Sequence, residues 1–136
     1  MTTIEKLYII ADNNNIPVFN VSLKGLAALS VTDDLCYAIG IDYAQIKNSA
    51  DERVKLSHEL GHCLNGAFYN IYSRFDCVAK CEYKADKWAI KKLLPQDDVI
   101  TAINKGYTEV WQLAEYFDVT EELVKKAFWI YFDKQV

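Results

Sequence analysis

The 136-residue sequence contains few of the residues that divide a chain into separate parts. It has two prolines and five glycines, with no internal repeat, no low-complexity segment and no linker rich in proline, glycine or serine. About half of the residues are apolar, which is enough for one hydrophobic core at the size of an ordinary domain. We therefore expect residues 1–136 to form one domain, with a helical C-terminal part from about residue 96.

Long hydrophobic runs are also missing. No stretch approaches the ~20 apolar residues that are needed to cross a bilayer. The apolar run close to the start of the sequence is too short for a signal peptide, and Glu5 interrupts the approach to it. We therefore expect a cytoplasmic protein whose cysteines are reduced thiols rather than a disulfide framework; they are Cys36, Cys63, Cys77 and Cys81.

The sequence has no excess of positive charge. It carries 15 lysines and arginines against 19 acidic residues, for a net charge of -4. A mildly acidic chain has no general attraction to nucleic acid or to an anionic membrane, although a local basic patch remains possible. The composition therefore argues against a non-specific nucleic-acid-binding protein and against a membrane-surface protein.

The order of sequence patterns predicts an α+β fold. An amphipathic helix is expected over residues 3–13, and three short apolar segments between residues 17 and 46 predict a small antiparallel sheet. A helix is expected from about 50 to 65, where Ser49 precedes two acids of the first turn, and a second long helix from about 77 to 94. Two or three shorter helices follow Pro95, with Thr108 and Thr120 as expected N-caps.

The only two histidines of the chain, His58 and His62, are separated by three residues. On a helix this spacing places both imidazoles on one face, where they can bind one zinc ion, and Glu59 can reach a water at that zinc. The pattern is typical of a zinc-dependent peptide hydrolase. The alternative is a surface helix with two solvated histidines.

The other side of this helix has the spacing of a core-facing stripe, formed by Leu56, Leu60, Cys63 and Ala67. The histidines therefore point away from the core, towards whatever forms the site. Gly61 costs up to ~1 kcal/mol of helix propensity relative to alanine. Its presence predicts the close approach of another backbone or of a substrate.

A third ligand must be a carboxylate or a thiolate, because no third histidine exists. Glu82 and Asp86 lie four residues apart on the second long helix, so one can bind zinc while the other accepts the free ring N–H of a liganding histidine. They can equally belong to a solvated face among several lysines. Cys77 and Cys81, also four apart, are a weaker candidate pair for structural zinc.

The pattern formed by His58–His62, by Glu82-x-x-Ala85-Asp86-x-x-Ala89 and by Leu93-Leu94-Pro95 resembles the short ImmA/IrrE-type metallopeptidases, with a gluzincin-like order of ligands. The spacing before the proline is one residue shorter than is usual in that family. The resemblance implies a zincin-like fold, one Zn²⁺, Glu82 as third ligand and Asp86 as the partner of a liganding histidine. It also implies a protein substrate, a helix-turn-helix transcriptional repressor of a mobile element or prophage.

The mechanism expected of such a site begins with water whose pKa zinc lowers toward ~7. Glu59 is placed to take the proton and to deliver it to the leaving amine. A second group must stabilise the developing oxyanion, and the candidates are Tyr69, Tyr72 and Arg74, although packing explains each aromatic equally well. Residues 35–43, as an edge strand, could align an extended peptide.

Residues 111–124 resemble the first two helices of a helix-turn-helix, with the second starting near Thr120. That helix would present glutamates and lysines without an arginine, whereas base reading favours Arg, Asn or Gln near the helix start. Core packing explains the apolar spacing in full, so we expect no direct nucleic-acid binding. A DNA-binding regulator and a zinc-bound regulatory or protein-binding module without relevant proteolysis remain the alternatives to a zinc endopeptidase.

Overall fold

The computed structural model describes residues 2–33, 35–70 and 72–135. These residues form six α-helices, three strands and one 3-10 turn, and the α+β class predicted from the sequence is confirmed. In chain order the elements are α1 (Thr3–Asn13), β1 (Val18–Asn20), β2 (Ala28–Thr32), β3 (Tyr37–Ile41), the 3-10 turn (Tyr43–Gln45), α2 (Ser49–Asn65), α3 (Phe75–Leu93), α4 (Gln96–Asn104), α5 (Val110–Phe117) and α6 (Glu121–Phe132). None of the described helices is long and apolar enough to span a membrane.

The three strands form a mixed sheet in the order β1-β3-β2. Strands β2 and β3 are antiparallel, as expected. Strand β1, however, pairs with β3 in parallel, so the prediction of an antiparallel sheet was wrong for the β1–β3 pair. The reason is that residues 21–27 carry the chain past β3 before β2 begins. The carboxylate of Asp42 secures this crossing, because it accepts a hydrogen bond of 3.0 Å from the backbone N–H of Leu23.

The prediction that residues 35–43 provide an edge strand was also wrong. Strand β3 pairs on both sides and is therefore the central strand of the described sheet. Its Ile39 and Ile41 are fully buried, whereas β2 is only partly buried and contacts α2. The edge strand beside α2 is β2.

Helices α2 and α3 pack against each other at close range. The predicted core stripe of α2 is confirmed for Leu56, Leu60 and Cys63, but Ala67 lies beyond the end of the helix and, although buried, lines the cavity beside the histidines. A Cβ atom at Gly61 would lie 2.7 Å from the carbonyl oxygen of Ala85, so glycine allows the two backbones to meet.

The N-cap of α2 is Asn48 rather than Ser49, because the Asn48 side chain accepts the backbone N–H of Asp51 at 2.9 Å.

The C-terminal helices pack back onto α2 and α3. Thr120 caps α6, as expected, by accepting the backbone N–H of Leu123 at 3.3 Å. Thr108 is not the N-cap of α5; Glu109 is, and its backbone N–H donates a hydrogen bond of 3.0 Å to the side-chain oxygen of Gln112 in the first turn. Tyr131 of α6 donates a hydrogen bond of 2.8 Å to the carbonyl of Leu94, which fixes α6 to the end of α3.

Candidate metal centre

Helices α2 and α3 bring two imidazoles and one carboxylate together at the position that the sequence predicted. The Nε2 atoms of His58 and His62 are 3.2 Å apart. The two carboxylate oxygens of Glu82 lie 3.0 Å from one Nε2 each. His58, His62 and Glu82 are thus a set of three side chains that can hold a metal ion.

The other ring nitrogen of each histidine has its own hydrogen-bond partner. Nδ1 of His58 lies 2.8 Å from a carboxylate oxygen of Asp86, and Nδ1 of His62 lies 2.6 Å from the carbonyl oxygen of Ala67. That carbonyl is in place because Gly66 ends α2 in the left-handed region, with φ of 59°. Both partners are acceptors, so each Nδ1 carries the hydrogen and each Nε2 lone pair points to the centre.

The donor set fits a small divalent cation. Two lone pairs and one carboxylate that face each other at 3.0–3.2 Å repel one another unless a positive charge lies between them. In a tetrahedral zinc site with bonds of about 2.0–2.2 Å, ligand atoms are separated by roughly 3.3 Å. Two imidazoles and one carboxylate also match the ligand types of catalytic zinc, which keeps its fourth position open.

The charges around Asp86 favour its ionised form. Burial by itself would raise the pKa of Asp86, but the hydrogen bond from His58 and the charge of Lys126 outweigh it, so the pKa lies below the ordinary 3.8. Burial lowers the pKa of His58, and the hydrogen bond and charge of Asp86 raise it by more, to above 6.5. Asp86 is therefore a charged acceptor that orients the His58 ring.

A cavity of about 350 Å³ opens directly onto this cluster. Glu59, the expected proton acceptor, lines it together with both histidines and Glu82. The start of β2, residues 28–30, and two aromatic side chains of the loop after α2, Phe68 and Tyr69, also line it. The cavity thus places a carboxylate, a candidate metal position and a strand edge around one space.

Of the three candidates for oxyanion stabilisation, the structure brings one to the site. Tyr69 lines the cavity, and its hydroxyl donates a hydrogen bond of 2.8 Å to Glu82. That hydrogen bond and partial burial raise the pKa of Tyr69 to about 12, so it is a donor at neutral pH. Tyr72 is 88% exposed, and the Arg74 side chain is also mostly exposed and pairs with Asp76.

The cysteine alternative is not supported by the geometry. Cys77 is exposed, and the thiol of Cys81 donates to the carbonyl of Phe68 at 3.6 Å. Neither belongs to the cluster of possible metal ligands found among the described residues. Cys63 is buried in the core stripe, as expected.

Lys126 is a residue of this site that sequence reasoning missed. Its ammonium group lies 3.1 Å from the second carboxylate oxygen of Asp86, 40 residues earlier in the chain. The sequence motif that includes Asp86 ends near Pro95, and a lysine on a later helix carries no local signal of its role. Only the packing of α6 against α3 identifies it.

The comparison with protein families agrees with the geometry. No curated protein and no solved structure matches this chain significantly. The model of the IrrE N-terminal-like domain, Peptidase_M78, matches residues 18–128, which include the sheet, both ligand-bearing helices and most of α6. The chain therefore belongs to the IrrE N-terminal-like family of metallopeptidases.

Proposed function

We propose that this protein is a zinc-dependent endopeptidase, with His58, His62 and Glu82 as the ligands of one Zn²⁺ and Glu59 as the general base. The observation that carries the proposal is the convergence of two Nε2 lone pairs and one carboxylate within 3.2 Å, each ring being oriented by an acceptor on its other side. Membership of a metallopeptidase family supports it.

Zinc held by His58, His62 and Glu82 would supply Lewis acidity, which would activate water near neutral pH and polarise the scissile carbonyl. Glu59 shares the cavity with the three ligands and accepts the proton of the attacking water at its carboxylate. The same carboxyl group then delivers that proton to the leaving amine. Tyr69, which lines the same cavity and donates to Glu82 in the structure, is our candidate to turn its hydroxyl to the oxyanion that develops on the substrate.

Strand β2 is our candidate for alignment of the substrate. It is an edge of the described sheet, and its residues 28–30 line the same cavity as the histidines. An extended peptide can add to such an edge through main-chain hydrogen bonds, which demand little of the substrate's side chains. This role replaces the one that the sequence suggested for residues 35–43.

We further propose that the substrate is a helix-turn-helix transcriptional repressor of a mobile element or prophage, cleaved in the cytoplasm so that repression is relieved. The resemblance of residues 50–95 to ImmA/IrrE-type enzymes supports this choice. The position of an edge strand beside the cavity is compatible with a protein substrate.

The decisive variant is Glu59→Gln. It is expected to bind one equivalent of zinc by elemental analysis and to lose cleavage of a repressor encoded next to it, followed by gel electrophoresis and mass spectrometry. Glu115→Gln, an exposed change on α5, is the matched control and should cleave normally. Full biological effect of Glu59→Gln would instead favour a zinc-bound regulatory module, and a protein that remains metal-free after zinc loading would refute the proposal.

A further inference from the structure

Three side chains from three helices form a continuous chain that leads from the C-terminal part to the metal site. Lys126 of α6 donates to one carboxylate oxygen of Asp86 at 3.1 Å, and the other oxygen accepts from His58 Nδ1 at 2.8 Å. The opposite nitrogen of the same ring, Nε2, is one of the three converging donors. A displacement of α6 is therefore transmitted to the ligand set through only one intermediate side chain.

Asp86 needs two partners to hold one orientation. The terminal torsion of an aspartate is broad, so a single hydrogen bond leaves the carboxylate free to rotate about its axis. The Asp86 side chain is only 17% exposed, so water is a poor substitute at the second oxygen. Glu122, one turn earlier on α6, lies 3.4 Å from the Lys126 ammonium and holds it from the solvent side.

We propose that Lys126 is a positioning residue of the metal site: it fixes the Asp86 carboxylate, which in turn fixes the His58 ring so that Nε2 faces the metal. The inference rests on the proposed zinc site. By this inference the α5–α6 pair, which resembles a helix-turn-helix in sequence, contributes a residue to the hydrolase site. Lys126, a basic residue of the second helix of that pair, faces inward to Asp86 instead of outward to a phosphate.

The first test compares three lysine variants of the full chain by competition for zinc against a chromophoric chelator. Lys126→Met is expected to weaken zinc binding by about threefold to tenfold, less than the roughly 10- to 100-fold that is usual for loss of a ligand's direct hydrogen-bond partner. Lys126→Arg keeps the charge and the donors and should recover most of the loss. Lys125→Met, an exposed neighbour, is the control and should match the wild type.

The second test is a double-mutant cycle with Asp86→Asn. If Lys126 acts through Asp86, Lys126→Met should cause no further loss of zinc affinity when position 86 is already asparagine. Additive losses, or equal affinity of Lys126→Met and the wild type, would overturn the inference while leaving the zinc site intact. A wild-type protein that took up no zinc would overturn the proposed function and this inference together. Circular dichroism and thermal unfolding of each variant separate loss of fold from loss of positioning.

Discussion

The main chain of Ala85 occupies the space that a side chain at Gly61 would need. A Cβ atom at position 61 would lie 2.7 Å from the Ala85 carbonyl oxygen and 2.9 Å from its Cα. Ala85 stands between Glu82 and Asp86 on α3, and Gly61 precedes His62 on α2. The close contact of the two helices at Gly61 and Ala85 therefore helps to set the distance between the histidines and both acids.

This relationship predicts a severe effect of Gly61→Ala. Alanine would gain up to ~1 kcal/mol in helix propensity. The contact with rigid backbone should cost more than that, since overpacking typically costs about 1–3 kcal/mol and no flexible side chain is available to move away. We expect a lower melting temperature and, because α3 must shift, weaker zinc binding. Leu64→Ala, a partly exposed site on the same helix, should change zinc binding little.

Tyr69→Phe tests whether the tyrosine acts on the substrate or on the metal ligand. An oxyanion donor contributes only in the transition state, so its loss should lower kcat by roughly 100-fold and leave KM and zinc affinity nearly unchanged. If Tyr69 mainly orients Glu82, zinc affinity should fall instead. Tyr72→Phe is the control, because that side chain is almost fully exposed. Unchanged kinetics and zinc affinity of Tyr69→Phe would contradict both roles.

The helices were predictable because their signals are local. The 3.6-residue apolar spacing of α2, the break at Pro95 and the threonine cap of α6 all lie within a few residues of the elements that they define. The sheet was only partly predictable, because strand order depends on which distant segments pair. The sequence of residues 17–46 contains no local signal that places β3 between β1 and β2.

The site shows the same division between local and distant information. The i, i+4 spacing of His58 and His62 defines a shared face on any helix, so the sequence was sufficient to nominate them. The carbonyl of Ala67 and the ammonium of Lys126 were not predictable, because one depends on the left-handed turn at Gly66 and the other on the packing of α6 against α3. Every residue has a backbone carbonyl, so the residue type does not show which carbonyl will accept a hydrogen bond from a histidine.

The accessibility of the four cysteines gives an independent check of the packing of α2. Burial, with a smaller contribution from Glu59, raises the pKa of Cys63 to about 12. At pH 8 nearly all of Cys63 is then the protonated thiol, whereas iodoacetamide reacts with the thiolate. Peptide mass spectrometry should find Cys36 and Cys77 labelled rapidly in the folded protein, and Cys63 only after unfolding in urea. Equal labelling rates for Cys63 and Cys77 would refute the predicted packing.

The dependence of stability on pH should have opposite signs with and without zinc. In chelator-treated protein, His58 has a folded pKa above 6.5, so its contribution to stability is present below pH 6.5 and is lost as pH rises through the folded value. Asp86 has a folded pKa below 3.8, so its contribution is present above pH 3.8 and is lost as pH falls through the folded value.

Zinc reverses the trend near neutrality, because protons compete with the metal for both histidines. We expect the rise in melting temperature on zinc addition to be large at pH 8 and to shrink toward pH 6, as measured by scanning calorimetry in matched buffers. Asp86→Asn removes the largest of the contributions that raise the pKa of His58, with Glu59 and Glu82 adding less, so chelator-treated Asp86→Asn should lose most of the gain in stability that the wild type shows on acidification from pH 8 to 6. If zinc stabilised the wild type equally at both pH values, the two histidines would not be its ligands.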